Sequence, residues 1–406
     1  MANPLISKHI LLGVTGSIAA YKAAELASKL YQSDVEVYVM LTEAAQKFIS
    51  PLTFQTVTDK KAYTESDLWG REGHVVHVHI GRQAELMIIA PATANTIAKL
   101  AYGIADNLLT LTTLAVNCPI LIAPAMDVGM YSHSATQENI SVLEKRGVQF
   151  IGPLEGHLAS GLEGIGRMVE PSVILQQARW MLAQDGLLKG KKIVITAGGT
   201  QESIDPVRIL TNRSSGKQGY AVAQAALDAG AQVMLINPSS HLIPPTGAKT
   251  IRADTAADMY HAVLNEINDA DALIMAAAVS DFRPKKMKSQ KIKKENGYNQ
   301  IQLEQTEDIL VKAAEVKQKS NPKLILVGFA AESQDLIANA RKKMKAKHLD
   351  LMAVNDITQP DAGFASDTNR ITLLFANGKS ESLPLMPKIE VAEKIIAYLI
   401  EALINK

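Results

Sequence analysis

Ile10-Leu11-Leu12-Gly13-Val14-Thr15-Gly16-Ser17 and Lys191-Lys192-Ile193-Val194-Ile195-Thr196-Ala197-Gly198-Gly199 follow one pattern, an apolar run that breaks into a glycine turn. Neither run alternates with polar residues, which suits a parallel strand covered by helices on both faces. Further apolar runs predict strands at Val35–Met40, Leu86–Ala90 and Ile120–Ala123, with helical patterns between them at Ile18–Leu30 and Ala135–Lys145. After the second opening, strands are expected at Gln232–Ile236, Ala272–Ala276, Leu324–Val327 and Leu349–Val354. Helices are expected at Gly219–Ala229, Ala256–Ile267, Asp335–Lys347 and Ile389–Ile404. Strand-helix alternation with two openings implies two α/β units, each with a mostly parallel sheet. Pro171–Gln184 reads as the closing helix of the first, and Asp185–Gly190 as the linker. The expected domains are therefore 1–188 and 189–406.

A chain of 406 residues exceeds what one hydrophobic core usually supports. Its 42 basic and 41 acidic residues nearly cancel, so no partnership with nucleic acid or an anionic membrane is expected. The lone cysteine, Cys118, excludes an intramolecular disulfide framework and fits a cytoplasmic protein. Lys8 and His9 before an apolar run resemble the start of a signal peptide. The run, however, breaks at Thr15-Gly16-Ser17 and meets Lys22 and Glu25, so a buried strand is the better reading. No uncharged apolar stretch approaches the roughly 20 residues that cross a bilayer.

In open α/β sheets, ligands sit beyond the carboxyl ends of the strands, where helix N-termini favour anions. Gly13-Val14-Thr15-Gly16-Ser17 lies at such a place but lacks the spacing of the G-x-G-x-x-G dinucleotide fingerprint, which disfavours a nicotinamide dehydrogenase. It reads as a phosphate-binding turn or as a tight turn with an N-cap Ser. Pro91-Ala92-Thr93-Ala94-Asn95 ends a later strand in the same way, and two such turns favour a phosphate-bearing cofactor. His74, His77 and His79 could suggest a metal. His-x-His on a strand would place two rings on one face, but no fourth ligand candidate follows, and no metal site is expected. In the second half, Ser214-Ser215-Gly216-Lys217 lacks the upstream glycine of a P-loop, yet a small-residue loop entering a helix can still bind phosphate.

Taken in order, Gly13–Lys22, Thr42-Glu43-Ala44-Ala45, Pro91–Asn95, Pro124–Tyr131 and Ala159–Met168 resemble the flavin-binding cysteine decarboxylases, specifically phosphopantothenoylcysteine decarboxylase. The resemblance implies that Gly13, Thr15, Gly16, Ser17, Ile18, Thr42, Thr93 and Asn95 contact FMN. It implies that His77 moves a proton during cysteine oxidation, a task suited to an imidazole. Met126, Asp127, Met130, Ser160, Arg167 and Met168 would meet the substrate, the last three from a glycine-rich flap. Two positions depart from the family. Asp127 stands where the family has Asn, which would hold the substrate carboxylate. An ionised Asp repels that carboxylate unless it is protonated or a cation compensates; alternatively Asp127 is a capping carboxylate. Ser160 stands where the family has the cysteine that completes reduction of an enethiol, and a hydroxyl is a far weaker acid. The implied mechanism oxidises the cysteinyl group to a thioaldehyde, releases CO2, and returns a hydride.

Asp205-Pro206-Val207-Arg208, Thr211–Gly219, Ala276–Phe282, Lys291–Lys294, Gly328–Glu332, Asn355-Asp356 and Gly363-Phe364 resemble phosphopantothenate–cysteine ligase. By that resemblance Asn212 steadies an acyl-nucleotide and Lys291 reaches the reacting phosphate. Arg208, Ser214, Ser215, Gly216 and Lys217 would bind substrate. Gly198, Met275, Ala276, Ala277, Asp281, Phe282, Glu307, Asp308, Ile309, Leu310, Phe329, Lys343 and Lys347 would bind nucleotide. Lys343 and Lys347, one helical turn apart, would face one triphosphate. Thr306-Glu307 replaces the family's usual Asn-Pro. On composition alone the lysine run reads as a solvated loop.

The resemblance implies two Rossmann-like domains, an N-terminal flavodoxin-like FMN domain and a C-terminal ligase domain with a mostly parallel sheet. It implies CTP with Mg²⁺, 4'-phosphopantothenate and cysteine as reactants, through an acyl-cytidylate. Trimeric decarboxylase and dimeric ligase contacts imply a dodecamer. The rival readings are a working ligase fused to a flavoprotein domain with lost or altered decarboxylation, and a regulatory flavoprotein.

Overall fold

The computed structural model describes residues 3–68, 75–293, 300–332, 336–356 and 366–404. The chain divides into two compact units, residues 2–182 and 183–406, apart from Met1. This division falls six residues before the expected boundary at 188/189. The presumed linker packs into the second unit, where Leu188 is fully buried and its N–H donates to Ala229 O at 2.7 Å.

The first unit runs β1 (His9–Val14), α1 (Ala20–Gln32), β2 (Glu36–Leu41), α2 (Pro51–Thr58), β3 (Ala62–Tyr63), α3 (Val76–Gln83), β4 (Leu86–Ala92), α4 (Ala94–Tyr102), α5 (Leu108–Ala115) and β5 (Ile120–Pro124). It continues with α6 (Val128–Ser132), α7 (Ser134–Lys145), β6 (Gln149–Phe150), β7 (Leu154–His157), β8 (Glu163–Arg167) and α8 (Pro171–Ala183). Six parallel strands stand in the order β3-β2-β1-β4-β5-β6. Ile10, Leu12 and Val14 are fully buried, as an apolar run in the middle of a doubly covered sheet should be. The order reverses between β1 and β4, so the turns after these two strands flank the switch point. β7 and β8 form a separate antiparallel hairpin that sequence periodicity did not signal.

His77 and His79 lie on helix α3 rather than on a strand. The helical period wins because Val76 and Ile80 share a face and Gly81 packs closely on Ala115 of α5. His74 lies outside the described residues.

The second unit contains β9 (Lys192–Thr196), β10 (Gln201–Ser203), β11 (Ile209–Thr211), α9 (Lys217–Asp228), β12 (Gln232–Asn237), β13 (Lys249–Arg252), α10 (Ala256–Glu266) and β14 (Ala272–Met275). Then come β15 (Phe282–Pro284), β16 (Leu303–Gln305), α11 (Ile309–Lys319), β17 (Ile325–Glu332), α12 (Leu336–Ala346), β18 (Leu351–Asp356), β19 (Thr368–Asn369), β20 (Ile371–Phe375), β21 (Ser380–Ser382), β22 (Met386–Pro387) and α13 (Lys388–Ile404). The main sheet has the order β13-β12-β9-β14-β17-β18-β20-β21. Its first six strands are parallel, repeating the first unit's scheme, and β20 and β21 add an antiparallel edge. The switch point again lies beside the first strand, between β9 and β14. Lys294, Gly363 and Phe364 lie outside the described residues.

Candidate active sites

In the first unit, Thr15 joins the two turns at the switch point. Its hydroxyl donates to Pro91 O at 2.7 Å and accepts from Thr93 N at 3.1 Å. Thr42, on the next turn, accepts from Ala45 N at 3.2 Å. Gly16 is required by close approach, since a Cβ there would lie 2.5 Å from the Ala44 Cβ. Helix α1 begins after Ala19, not at Ser17, whose hydroxyl instead accepts from Ala19 N at 3.3 Å. Thr93 caps α4 by accepting from Thr96 N at 3.3 Å.

A cavity of about 520 Å³ opens above these turns, lined by Gly16, Ser17, Ile18 and Thr93 on one side. Met126, Asp127, Met130, Ser160, Arg167 and Met168 line the other. The structure thus brings most of the expected cofactor and substrate residues into one space. Gly13 and Thr15 are buried beneath it, and Thr42 and Asn95 lie outside its lining. His77 does not line it; its ring nitrogen Nδ1 is buried with no hydrogen-bond partner among the described residues.

The hairpin of β7 and β8 carries Ser160 at its tip and is seated by the bond from Met126 N to Gly166 O, 3.1 Å. Gly166 leaves no room for a side chain, because a Cβ would meet Met126 O at 2.1 Å. Asp127 does cap α6, accepting from Gly129 N at 3.0 Å through Oδ1. Its Oδ2 accepts from the Ser160 hydroxyl at 2.6 Å. These bonds, that of Ser160 first, hold the Asp127 carboxyl below its usual range. The two residues that depart from the family pattern therefore contact each other.

Sequence reasoning missed Lys22. It lines the cavity, its side chain is 7% exposed, and its ammonium donates to Met168 O at 3.2 Å and Glu170 Oε1 at 2.8 Å. Arg167 shares Glu170 Oε1 at 2.7 Å. Lys22 falls on the apolar stripe of α1 with Leu26 and Leu30, and a charge on such a stripe is the signal that could have found it.

The space fits FMN in kind. Two turns at a switch point, backed by the first turns of α1 and α4, offer N–H and hydroxyl donors for a phosphate. Apolar Ile18, Phe48, Met126 and Met130 offer surface for a planar ring.

In the second unit, Ala278 N donates to Gly198 O at 2.8 Å, stitching together the turns after β9 and β14. Ser214, Ser215, Gly216, Ala276, Ala277 and Phe329 line a cavity of about 140 Å³ at this switch point. Gly216 precedes α9 with a φ of 75°, a conformation that disfavours a side chain. Asn212 Nδ2 donates to Val279 O at 3.1 Å, so that loop crosses to the β14 turn. Gln218 and Asn355, from stretches that carry the ligase resemblance but were assigned no role, also line the cavity, as do Asn369 and Lys388, which were not anticipated.

The remaining expected residues lie outside this lining. Met275 and Ile309 are buried, and Leu310 packs against the core. Thr306 links the others: its N–H donates to Asp281 O at 3.0 Å and its hydroxyl to Ser280 O at 2.6 Å. Glu307 and Asp308 are thereby placed beside Asp281 and the exposed Phe282. Asp308 caps α11, accepting from Val311 N at 3.2 Å, and pairs with Lys347 Nζ at 2.7 Å. Lys347 lies just past the end of α12, and Lys343 is exposed on it.

Lys291 sits in an exposed segment that is nonetheless fastened. Asp205, fully buried at its side chain, accepts from Ile292 N at 3.2 Å, and Arg208 Nη2 donates to Ile292 O at 3.0 Å. Arg208 also pairs with Asp205, and that pairing, with the N–H donors of Val207, Ile292 and Arg208, holds the Asp205 carboxyl far below its usual range against the effect of burial. Arg208 thus positions the Lys291 segment.

Residues 2–182 match the flavoprotein family, and residues 188–403 match the DNA/pantothenate metabolism flavoprotein C-terminal domain. The chain is 47% identical to the coenzyme A biosynthesis bifunctional protein CoaBC of Bacillus subtilis, over 97% of this chain and 96% of that protein. It is 41% identical to the protein of the same description from Vibrio vulnificus, over 97% of each chain. Among solved structures, the C-terminal domain of a coenzyme A biosynthesis bifunctional protein CoaBC is 37% identical. It covers 55% of this chain and 100% of that one, with a TM-score of 0.47.

Proposed function

Because the chain belongs to the family of coenzyme A biosynthesis bifunctional proteins, we propose that its two switch-point sites perform successive reactions on one substrate. The chain is a bifunctional enzyme, a phosphopantothenate–cysteine ligase joined to a phosphopantothenoylcysteine decarboxylase. The ligase joins cysteine to 4'-phosphopantothenate, and the decarboxylase converts the product to 4'-phosphopantetheine. The observation that carries the residue assignments is the convergence of the two β1 and β4 turns with Asp127 and Ser160 on one cavity.

In the ligase half, a carboxylate is a poor electrophile at neutral pH, so attack on the α-phosphorus of CTP first forms an acyl-cytidylate and releases pyrophosphate. Mg²⁺ arrives with the nucleotide. Lys291, held through Ile292, offsets the charge that develops, and Asn212 steadies the acyl-nucleotide. Asp281 and Asp308 face the nucleotide with Lys343 and Lys347. Cysteine's amine then displaces CMP.

In the decarboxylase half, Gly16, Ser17 and Thr93 would hold the FMN phosphate. FMN, when bound, supplies the two-electron oxidation and re-reduction that loss of CO2 requires. Asp127 is ionised, so Arg167 and Lys22 are the lining cations that offset its repulsion of the substrate carboxylate. Ser160, already donating to Asp127, stands at the place of proton delivery. His77, whose buried Nδ1 has no partner among the described residues, would reach the substrate in a cavity completed by another copy, as the trimeric contacts implied by the family require. We propose a cytoplasmic homo-oligomer on the pattern of the family; separately, no helix among the described residues is long and apolar enough to cross a membrane.

The test supplies 4'-phosphopantothenate, cysteine, Mg²⁺ and either CTP or ATP, and follows pyrophosphate, CO2 and final product separately. Equal pyrophosphate and CO2 with CTP support the reading. Pyrophosphate without CO2, or a stalled enethiol, favours the second reading, a ligase fused to an altered flavoprotein domain, which the Asp127 and Ser160 departures recommend.

A further inference from the structure

Lys291 offsets the charge that develops in ligation, yet it lies in a stretch, residues 286–293, that forms no strand or helix. The turn between β10 and β11 fastens that stretch. Lys288 N donates to Ile204 O at 3.0 Å. Asp205 Oδ2 accepts from Ile292 N at 3.2 Å, and Arg208 Nη2 donates to Ile292 O at 3.0 Å. Both backbone polar groups of the residue after Lys291 are thus tied to one turn. The second tie depends on Asp205 as well. Its side chain is fully buried, and it accepts from Arg208 Nε at 3.0 Å, which aims the guanidinium. The other oxygen, Oδ1, closes the turn by accepting from Val207 N and Arg208 N, each at 2.9 Å. The same hairpin leads into Asn212, which Thr211 and Val279 hold in place: the Thr211 hydroxyl donates to Thr200 O at 2.8 Å, and Asn212 Nδ2 donates to Val279 O at 3.1 Å. One hairpin therefore presents Asn212 and clasps the Lys291 segment.

We infer that Asp205 is a positioning residue for ligation: through Ile292 N and the Arg208 guanidinium it fixes Lys291 relative to Asn212 at the reacting carboxylate and phosphate. The inference rests on the ligase reading above. A carboxylate has two acceptor oxygens and an amide one, so Asn at 205 cannot serve the turn and the clasp together. Asp205→Asn releases Lys291 without changing the size of the side chain.

The full chain is compared with Asp205→Asn, Lys291→Met and the double variant, with pyrophosphate release measured while each substrate is varied at saturation of the other. A displacement of about 1 Å at a reacting group predicts that Asp205→Asn lowers kcat on the order of 100-fold, with KM for CTP and 4'-phosphopantothenate changed less than about threefold. Because Asp205 acts through Lys291, Asp205→Asn in the Lys291→Met background costs less than about threefold more, a non-additivity that general damage to the fold does not produce. Tryptic cleavage after Lys291, followed by mass spectrometry, speeds up by about tenfold in Asp205→Asn, as loss of charge-assisted hydrogen bonds requires. A kcat within about threefold of wild type, equal losses in both backgrounds, or a rise in KM with kcat kept, overturns the inference. Should Asp205→Asn not fold, Arg208→Lys, which keeps a cation on Asp205 but lacks the fork that reaches Ile292 O, is read against Lys291→Met by the same criteria. Failure of the ligase reading shows separately, as wild-type chain that releases no pyrophosphate with either nucleotide while cleavage after Lys291 still reports the clasp.

Discussion

Gly166→Ala tests how closely the flap must sit on the substrate turn. The new Cβ would lie 2.1 Å from Met126 O and 3.4 Å from the Asp127 carbonyl carbon, whereas Cβ contacts essentially never fall below 3.0 Å. Both neighbours at the short contact are backbone, so no side chain can swing aside. The strand β8 must move by about 1 Å, and a displacement of that size at reacting groups costs on the order of 100-fold in rate. The shift also stretches the bond from Met126 N to Gly166 O and carries Ser160 away from Asp127. Decarboxylation of 4'-phosphopantothenoylcysteine should fall by about two orders of magnitude, while pyrophosphate release, the work of the other unit, keeps its wild-type rate. CO2 and pyrophosphate are measured on the same preparation, with flavin absorbance as the control for cofactor loading. CO2 release within about threefold of wild type would refute the reasoning, because the seating would then be too loose to matter.

Ser160→Ala removes the hydroxyl that Asp127 accepts; decarboxylation should drop roughly tenfold without loss of flavin, as read by CO2 release and flavin fluorescence. Lys22→Met strips two hydrogen bonds from a buried ammonium. It should cost about 2 kcal/mol, since its partner Glu170 is half-exposed and still has Arg167. Calorimetry should show the first unit's transition lowered by about 4–8 °C and the second unit's unmoved. The Asp205 carboxyl is depressed in the folded state, so its contribution to stability is complete above its ordinary value of 3.8 and is lost as pH falls below it. Denaturant unfolding of the second unit should weaken more steeply below pH 4 in the wild type than in Asp205→Asn. Burial pushes the Cys118 thiol up to about 11, so a thiol reagent at neutral pH should label the native chain slowly and the denatured chain fast.

The central strands were legible because a strand covered on both faces is apolar throughout, and β1, β4, β9 and β14 all begin within a residue of expectation. The antiparallel edge was not legible: β21 is fully exposed and carries only Ser, Glu and Ser. His77 and His79 misled because Val76, Val78 and Ile80 alternate in sequence as a strand would, whereas only Val76 and Ile80, four apart on the helix, join the core. At the sites, the turn residues were readable because glycines and small hydroxyl residues mark chain reversals. Lys22 and Lys388 were not, since each hides on an apolar helical stripe, the latter with Val391, Ala392 and Ile395. The clasp of Arg208 on Ile292 joins segments 84 residues apart in sequence, and no local pattern announces it.

Gly186 packs against Ala229 O with no space for a side chain, and Gly230 does the same against Ala183 O. The eight residues after the closing helix of the first unit are thus a fitted part of the second. A cut at residue 189, the place the composition recommends, would strip Leu188 from its hole and leave Ala229 O without its donor. Anyone wishing to prepare the ligase as a free-standing fragment must take the chain from Ala183 or earlier.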